Sequence, residues 1–216
     1  LKKSHPLLAG IESVTPYKTV TGHSMYNVRP PLMQIDQFLP VGGVMGMTAL
    51  PGVGKTWLAL EAVRAVGSGT PFLGRYKTMR GGVLFIGSDS SLEDYAFQWT
   101  RLTRSTPDAV DAFEPVRFLV QDTFLLDNQD EIRRLIRTHQ TFEWGDLHIG
   151  EHGPERERGF HLIVIDTLAA TMLANENDNS EMSQVFRFVR LLASLTNSAI
   201  ILLHHNSKKT EFNDGA

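Results

Sequence analysis

From Leu32 onward the chain alternates short apolar runs with longer segments of helical period. Strand candidates are Val44–Leu50, Gly82–Gly87, Val116–Gln121, His161–Asp166 and Ala199–His204, and helices fit Lys55–Ser68, Leu92–Thr103, Gln129–His139 and Ser180–Leu195. The runs Val83-Leu-Phe-Ile86 and Leu162-Ile-Val-Ile165 are apolar at consecutive positions. A strand with one wet face would alternate, so these belong in a sheet covered on both sides, hence a mostly parallel one. The last helix places Met182, Val185, Val189, Leu192 and Leu195 on one face and turns Arg187, Arg190 and Ser194 largely away. Residues Asp178 to Ser180 supply its N-cap chemistry. The pattern predicts an α/β fold, a mostly parallel twisted sheet flanked by helices on both faces.

Residues 1–30 show no clear period and carry Pro6, Pro16 and Pro30, so they read as an arm or linker ahead of a domain spanning 31–216. The chain opens on Leu1 rather than Met and closes on the polar run Thr210–Ala216, which reads as a fragment, a processed product or a chain trimmed at both ends, with the domain expected to be truncated at its C-terminal end. The stretch 141–160 is polar and glycine-containing and is expected to be an exposed insertion between a helix and the next strand.

Composition narrows the chemistry. A chain of 216 residues, 42% hydrophobic and 21% charged, suits one ordinary α/β domain with ample core. It has no cysteine, which excludes disulfides and cysteine-ligated zinc or iron–sulfur centres. No apolar run reaches 18 residues and no signal-like segment opens the chain, so the expectation is a cytoplasmic protein with no membrane partner. The net charge of −3 provides no global basic field for nucleic acid. Local basic groups such as Arg75/Lys77/Arg80 and Arg133/Arg134/Arg137 read as solvated helix faces and loop tips. Binding of DNA through a few loops of a ring channel stays compatible with that charge.

The most specific feature is Ala49-Leu-Pro-Gly-Val-Gly-Lys-Thr56, set between a strand candidate and an amphipathic helix. This is the phosphate-cradling loop, with Ala at its first position where Gly is commoner, in the strand–loop–helix context its physics requires. Gly52 and Gly54 let the backbone turn its N–H groups inward as an anion nest, and the following helix aims the positive end of its dipole at the same point. Residues Pro51, Gly52, Val53, Gly54, Lys55 and Thr56 are thus the candidate triphosphate cradle. Lys55 reaches the β- and γ-phosphates, and the Thr56 hydroxyl is a Mg²⁺ ligand.

Hydrolysis needs more than a loop. Asp166 ends a buried parallel strand, and ligands gather outside the carboxyl ends of such strands, so it is the candidate Mg²⁺ carboxylate. Asp89 follows Val83–Ile86 at the corresponding end of another strand and is a candidate general base or water-positioning acid. Asp89, Ser90 and Ser91 are equally good caps for the helix from Leu92. The fifth strand ends in His204-His205-Asn206-Ser207-Lys208-Lys209. A histidine here is placed to hydrogen-bond a γ-phosphate. Neighbours on a strand point to opposite faces, so the pair does not share one ion easily.

Taken together, Asp36-Gln-Phe-Leu-Pro40, Ala49–Thr56, Val83–Ser90, Leu162–Leu168, Glu176-Asn-Asp-Asn179 and His204–Lys208 resemble the RecA-like P-loop ATPase core over about residues 31–216. The chain looks closest to the RepA-type hexameric replicative helicases of plasmids and phages. The resemblance implies ATP and Mg²⁺ as cofactors, a homo-hexameric ring with nucleotide between subunits, single-stranded DNA as partner, and catalytic roles for Lys55, Asp89, Asp166 and His205, the last as γ-phosphate sensor. In that family the acid after the second strand is typically Glu followed by Asp; here it is Asp89-Ser90. Lys208 and Lys209 are candidates for contacts to DNA or to a neighbour's nucleotide. Two other readings are a RecA/RadA-like recombination or loading ATPase that uses ATP as an assembly switch, and a small-molecule kinase whose lid Glu155-Arg-Glu-Arg158 would imitate.

Overall fold

A computed structural model describes residues 13, 15–104, 112–121, 123–150, 153–173 and 178–205; the side chains at 147–150, 153–156, 179 and 205 lie outside that description. The chain divides into two compact units, Leu1–Pro31 and Leu32–Ala216. The described part of the first carries one short helix, α1 (Gly22–Met25), whose N-cap Thr21 accepts a hydrogen bond from the Ser24 amide at 3.1 Å.

The second unit begins with a small antiparallel hairpin, β1 (Met33–Ile35) and β2 (Leu39–Pro40), strands too short to show a period in the sequence. There follow β3 (Val44–Ala49), α2 (Lys55–Ser68), β4 (Val83–Gly87), α3 (Leu92–Thr103), β5 (Val116–Val120), α4 (Gln129–Thr141), β6 (Glu143–Gly150), β7 (Gly153–Arg158), β8 (Leu162–Asp166), α5 (Asn179–Thr196) and β9 (Ala199–His205). Five of these strands form one sheet in the order β3-β9-β8-β4-β5, and every pairing in it is parallel.

The continuous apolar runs are explained by two cores, one on each face. Val83, Phe85, Leu162, Val164, Ile201 and Leu203 pack against Leu60, Val63 and Val66 of α2 and Tyr95 of α3. Their neighbours Leu84, Ile86, Ile163, Ile165, Ile200 and Leu202 pack against Ile132 and Leu135 of α4 and Val185, Val189 and Leu192 of α5. Each such fully buried side chain contributes about 1.5–3 kcal/mol relative to exposure. Parallel strands joined through helices bring all five carboxyl ends to one rim, where the functional loops lie.

One expectation is filled in and another needs correction. The insertion expected at 141–160 lies between a helix and the next strand, and it forms a hairpin, β6 pairing antiparallel with β7. It is rooted by Trp144, which is buried and whose Nε1 donates to the Gly159 carbonyl at 3.3 Å, and by Phe142 stacked on Phe160 at 4.5 Å between centroids. The strands lack the apolar/polar alternation that betrays a half-buried strand, so periodicity missed them. In α5, Leu195 is 60% exposed, while Ala193 and Thr196 are buried in its place, which rotates the packed face slightly toward the C-terminal cap.

Candidate functional site

At the end of β3 the chain leaves the sheet through Leu50–Gly54 and enters α2 at Lys55. Gly54 is the N-cap at φ 91°, with no side-chain cap on the helix, and Gly52 has φ 80°. Both lie in the left-handed region that a Cβ penalises, which is why the loop is written with glycine there. A helix start whose cap has no side chain presents backbone N–H donors and a positive dipole end to any anion in the loop.

Lys55 is 8% exposed, and its Nζ donates to the carbonyls of Ala49 at 2.7 Å and Leu50 at 3.1 Å. The ammonium therefore sits inside the loop, where a phosphate oxygen would be a stronger, charge-assisted acceptor than a neutral carbonyl. One residue on, the Thr56 hydroxyl donates to Asp166 Oδ2 at 2.9 Å across 110 positions of sequence. Asp166 is 2% exposed, and a carboxylate so buried must be paired or hydrogen-bonded.

The sequence reading missed a second partner of Asp166. Tyr95 of α3, 1% exposed, sets its hydroxyl 3.4 Å from both the carbonyl O and Oδ2 of Asp166. Burial, and then the negative charge of Asp166, push the phenol well above its ordinary range, so Tyr95 stays protonated. Its ring occupies the space over Gly87, where an added Cβ would lie 2.4 Å from Tyr95 Cε2. An aromatic at a core-facing helical position reads as packing, and only the glycine at the end of β4 hints that it reaches the strand ends.

Asp89 is exposed just beyond β4, close enough to Tyr95 for its charge to act on the phenol. The cap of α3 is Ser91, whose Oγ accepts from the Asp94 amide at 3.1 Å. The capping duty weighed for Asp89 is thus carried by Ser91. His204 lines a cavity of about 300 Å³ with Gly46, Thr48, Leu168, Met182, Phe186 and Leu202, on the α5 side of the sheet. The backbone of His205 pairs in register with Ala49, at the root of the phosphate loop; its side chain lies outside the described residues, as do Lys208 and Lys209.

Two clefts meet at the loop. One, of about 560 Å³, runs along Gly46–Ala49, Val53–Lys55 and Leu58; the other, of about 200 Å³, is lined by Gly52, Gly54, Lys55, Thr56, Trp57 and Gln98. Together they offer the room of a ligand site. Another cavity of about 520 Å³ lies between β5 and α4 and includes none of these residues.

The donor set fits a nucleotide with a hard divalent cation. Among the described residues no group of three or more His, Asp or Glu gathers to hold a metal alone. One hydroxyl and one carboxylate, Thr56 and Asp166, are what Mg²⁺ takes from protein when phosphate oxygens and water complete its shell. Such an ion would neutralise charge on the phosphates.

Fold and site together define a nucleotide-binding α/β domain of the phosphate-loop type. A family model described as AAA domain matches residues 15–211, and the chain belongs to that family of P-loop ATPases. ATP binding and hydrolysis are the family's general chemistry. None of the curated proteins matches the chain. No described helix is long and apolar enough to cross a membrane.

Proposed function

We propose that this chain is the Mg²⁺-dependent ATPase domain of a DNA-translocating ring, of the kind found in RepA-type replicative helicases. The observation that carries the hydrolytic part is the Thr56–Asp166 hydrogen bond at 2.9 Å beside the loop that holds Lys55. Asp89, exposed at the neighbouring strand end, is the group for the attacking water. His205, whose backbone lies beside Ala49, is the γ-phosphate sensor.

The ring is supported by what the two clefts lack. Among the described residues that line them, Lys55 is the sole cation. Phosphoryl transfer gains from a second positive group at the γ-phosphate. In this reading a neighbouring subunit supplies it, with Lys208 and Lys209 available for that duty or for DNA.

The test measures ATP turnover with and without single-stranded DNA, for wild type and Lys55→Ala, alongside light scattering of the ATP-bound form. DNA-stimulated turnover lost in Lys55→Ala, with a closed six-subunit species, supports the motor. An open-ended size distribution points instead to a filament-forming ATPase of the RecA/RadA kind. A ring without turnover overturns the motor reading.

A further inference from the structure

Two side chains of the smaller cleft have no part in the hydrolytic constellation. Trp57, in the first turn of α2, is 37% exposed as a residue and lines the cleft beside the phosphate loop. Gln98 projects from α3 three residues after Tyr95, on the same helical face. Its Oε1 is shielded from solvent and has no hydrogen-bond partner among the described residues. A buried acceptor left unpaired is costly, and such a group calls for an explanation.

We propose that the space between Trp57 and Gln98 seats the nucleobase, and that the Gln98 amide selects adenine. The inference rests on the nucleotide reading above and adds the residue that chooses the base. Lys55 serves the β- and γ-phosphates, the loop amides cradle the α- and β-phosphates, and Thr56 faces the metal side with Asp166. The nucleoside therefore leaves the loop past Thr56, and the cleft lining that remains there is Trp57 and Gln98. At about 200 Å³ this cleft is on the scale of a base rather than a whole nucleotide. An indole is a flat, polarizable stacking surface with affinity for any base.

Selection comes from the amide. Its acceptor and donor lie side by side, matching the 6-amino group of adenine and an adjacent ring nitrogen. Guanine presents two acceptors, O6 and N7, on the corresponding edge and calls for the paired donors of Arg or Lys. Cytosine offers a donor and an acceptor too, but on a smaller ring with less area to stack.

Calorimetric titration of the whole chain with Mg²⁺ and four probes tests this: tripolyphosphate, ATP, GTP and purine riboside triphosphate, which lacks the 6-amino group. Wild type is expected to bind ATP about tenfold tighter than either GTP or the purine analogue. Gln98→Ala should lower ATP affinity to the GTP level and leave tripolyphosphate unchanged, and Gln98→Arg should move the preference toward GTP. Trp57→Ala should weaken ATP and GTP together while sparing tripolyphosphate. Equal wild-type affinity for ATP and GTP, an ATP-to-GTP ratio preserved in Gln98→Ala, or ATP binding no tighter than tripolyphosphate each overturns the base seat alone. Failure of wild type to bind either tripolyphosphate or ATP overturns the nucleotide reading, and this one with it.

Discussion

The hydroxyl of Tyr95 lies 3.4 Å from the Oδ2 and from the carbonyl O of Asp166, under a roof that Gly87 leaves free of a Cβ. One aromatic side chain thus ties α3, the end of β4 and the Asp166 carboxylate of β8 into a single assembly. Through both contacts Tyr95 holds Asp166 in position.

Tyr95→Phe keeps the ring and deletes the donor. The expected loss in stability is about 1 kcal/mol, the net value of one hydrogen bond, read by chemical denaturation. The functional expectation is a rise in the Mg²⁺ concentration needed for half-maximal ATP turnover, with KM for ATP at saturating Mg²⁺ little changed. Gly87→Ala attacks the same contact from the other side, since its Cβ would meet Tyr95 Cε2 at 2.4 Å. Overpacking of this kind costs about 1–3 kcal/mol. Combined with Tyr95→Ala the cost should be less than additive, because the clash partner is gone.

Asp166→Asn separates the carboxylate's charge from its place in the fold. An amide oxygen still accepts from the Thr56 hydroxyl, and neutralising a 2%-exposed charge removes a desolvation penalty. The melting temperature is therefore expected to hold or rise. ATP turnover should fall at least hundredfold, about 3 kcal/mol of lost transition-state stabilisation. Unchanged turnover at limiting Mg²⁺ would remove Asp166 from the metal site.

Most of the sheet was legible because burial on both faces leaves continuous apolar runs, and α2 and α3 have the bounds their periodicity predicts. Lys55, Thr56 and Asp166 were singled out by local rules, the loop motif or the acid at a strand end, and the structure brings the last two within hydrogen-bond distance. Tyr95 and Gln98 were not. Tyr95 reaches Asp166 and Gln98 reaches the smaller cleft only once α3 has packed beside α2, a tertiary fact with no spacing signature. The β6–β7 hairpin escaped for another reason, as β7 carries charge at the four successive positions Glu155–Arg158 and so shows no apolar/polar alternation in the sequence.

At the base of that hairpin two histidines set a pH dependence. His139 Nδ1 accepts from the Phe160 amide at 3.0 Å, and His161 packs edge-on to Trp144, with the charge of Glu157 acting on it. Burial lowers both from the ordinary value of 6.5; for His139 the charge of His161 adds to this, and for His161 Glu157 opposes it. The unfolded chain therefore binds more protons than the folded one just below pH 6.5, and folded stability falls with pH there. Denaturation midpoints should be flat above about pH 7 and decline as pH falls through 6.5 into the depressed folded range. His161→Gln should flatten part of that decline, and a midpoint rising on acidification would contradict the assignment.

Asp89 and Ser91 stand two residues apart and are expected to fail in opposite ways. Ser91 caps α3 through the Asp94 amide, so Ser91→Ala should cost about 1 kcal/mol of stability. Its turnover at a temperature well below melting should stay near wild type. Asp89 is exposed and is not the cap, so Asp89→Ala should move stability by no more than about 0.5 kcal/mol. Its kcat is nevertheless expected to drop by about 10²–10⁴, the usual contribution of a positioned general base, with ATP affinity retained. Asp89→Glu, which extends the carboxylate by one methylene, should keep or raise kcat if the acid acts on water. If Asp89→Ala instead loses stability and keeps its turnover, Asp89 serves the fold, and the water-positioning group lies elsewhere on the rim.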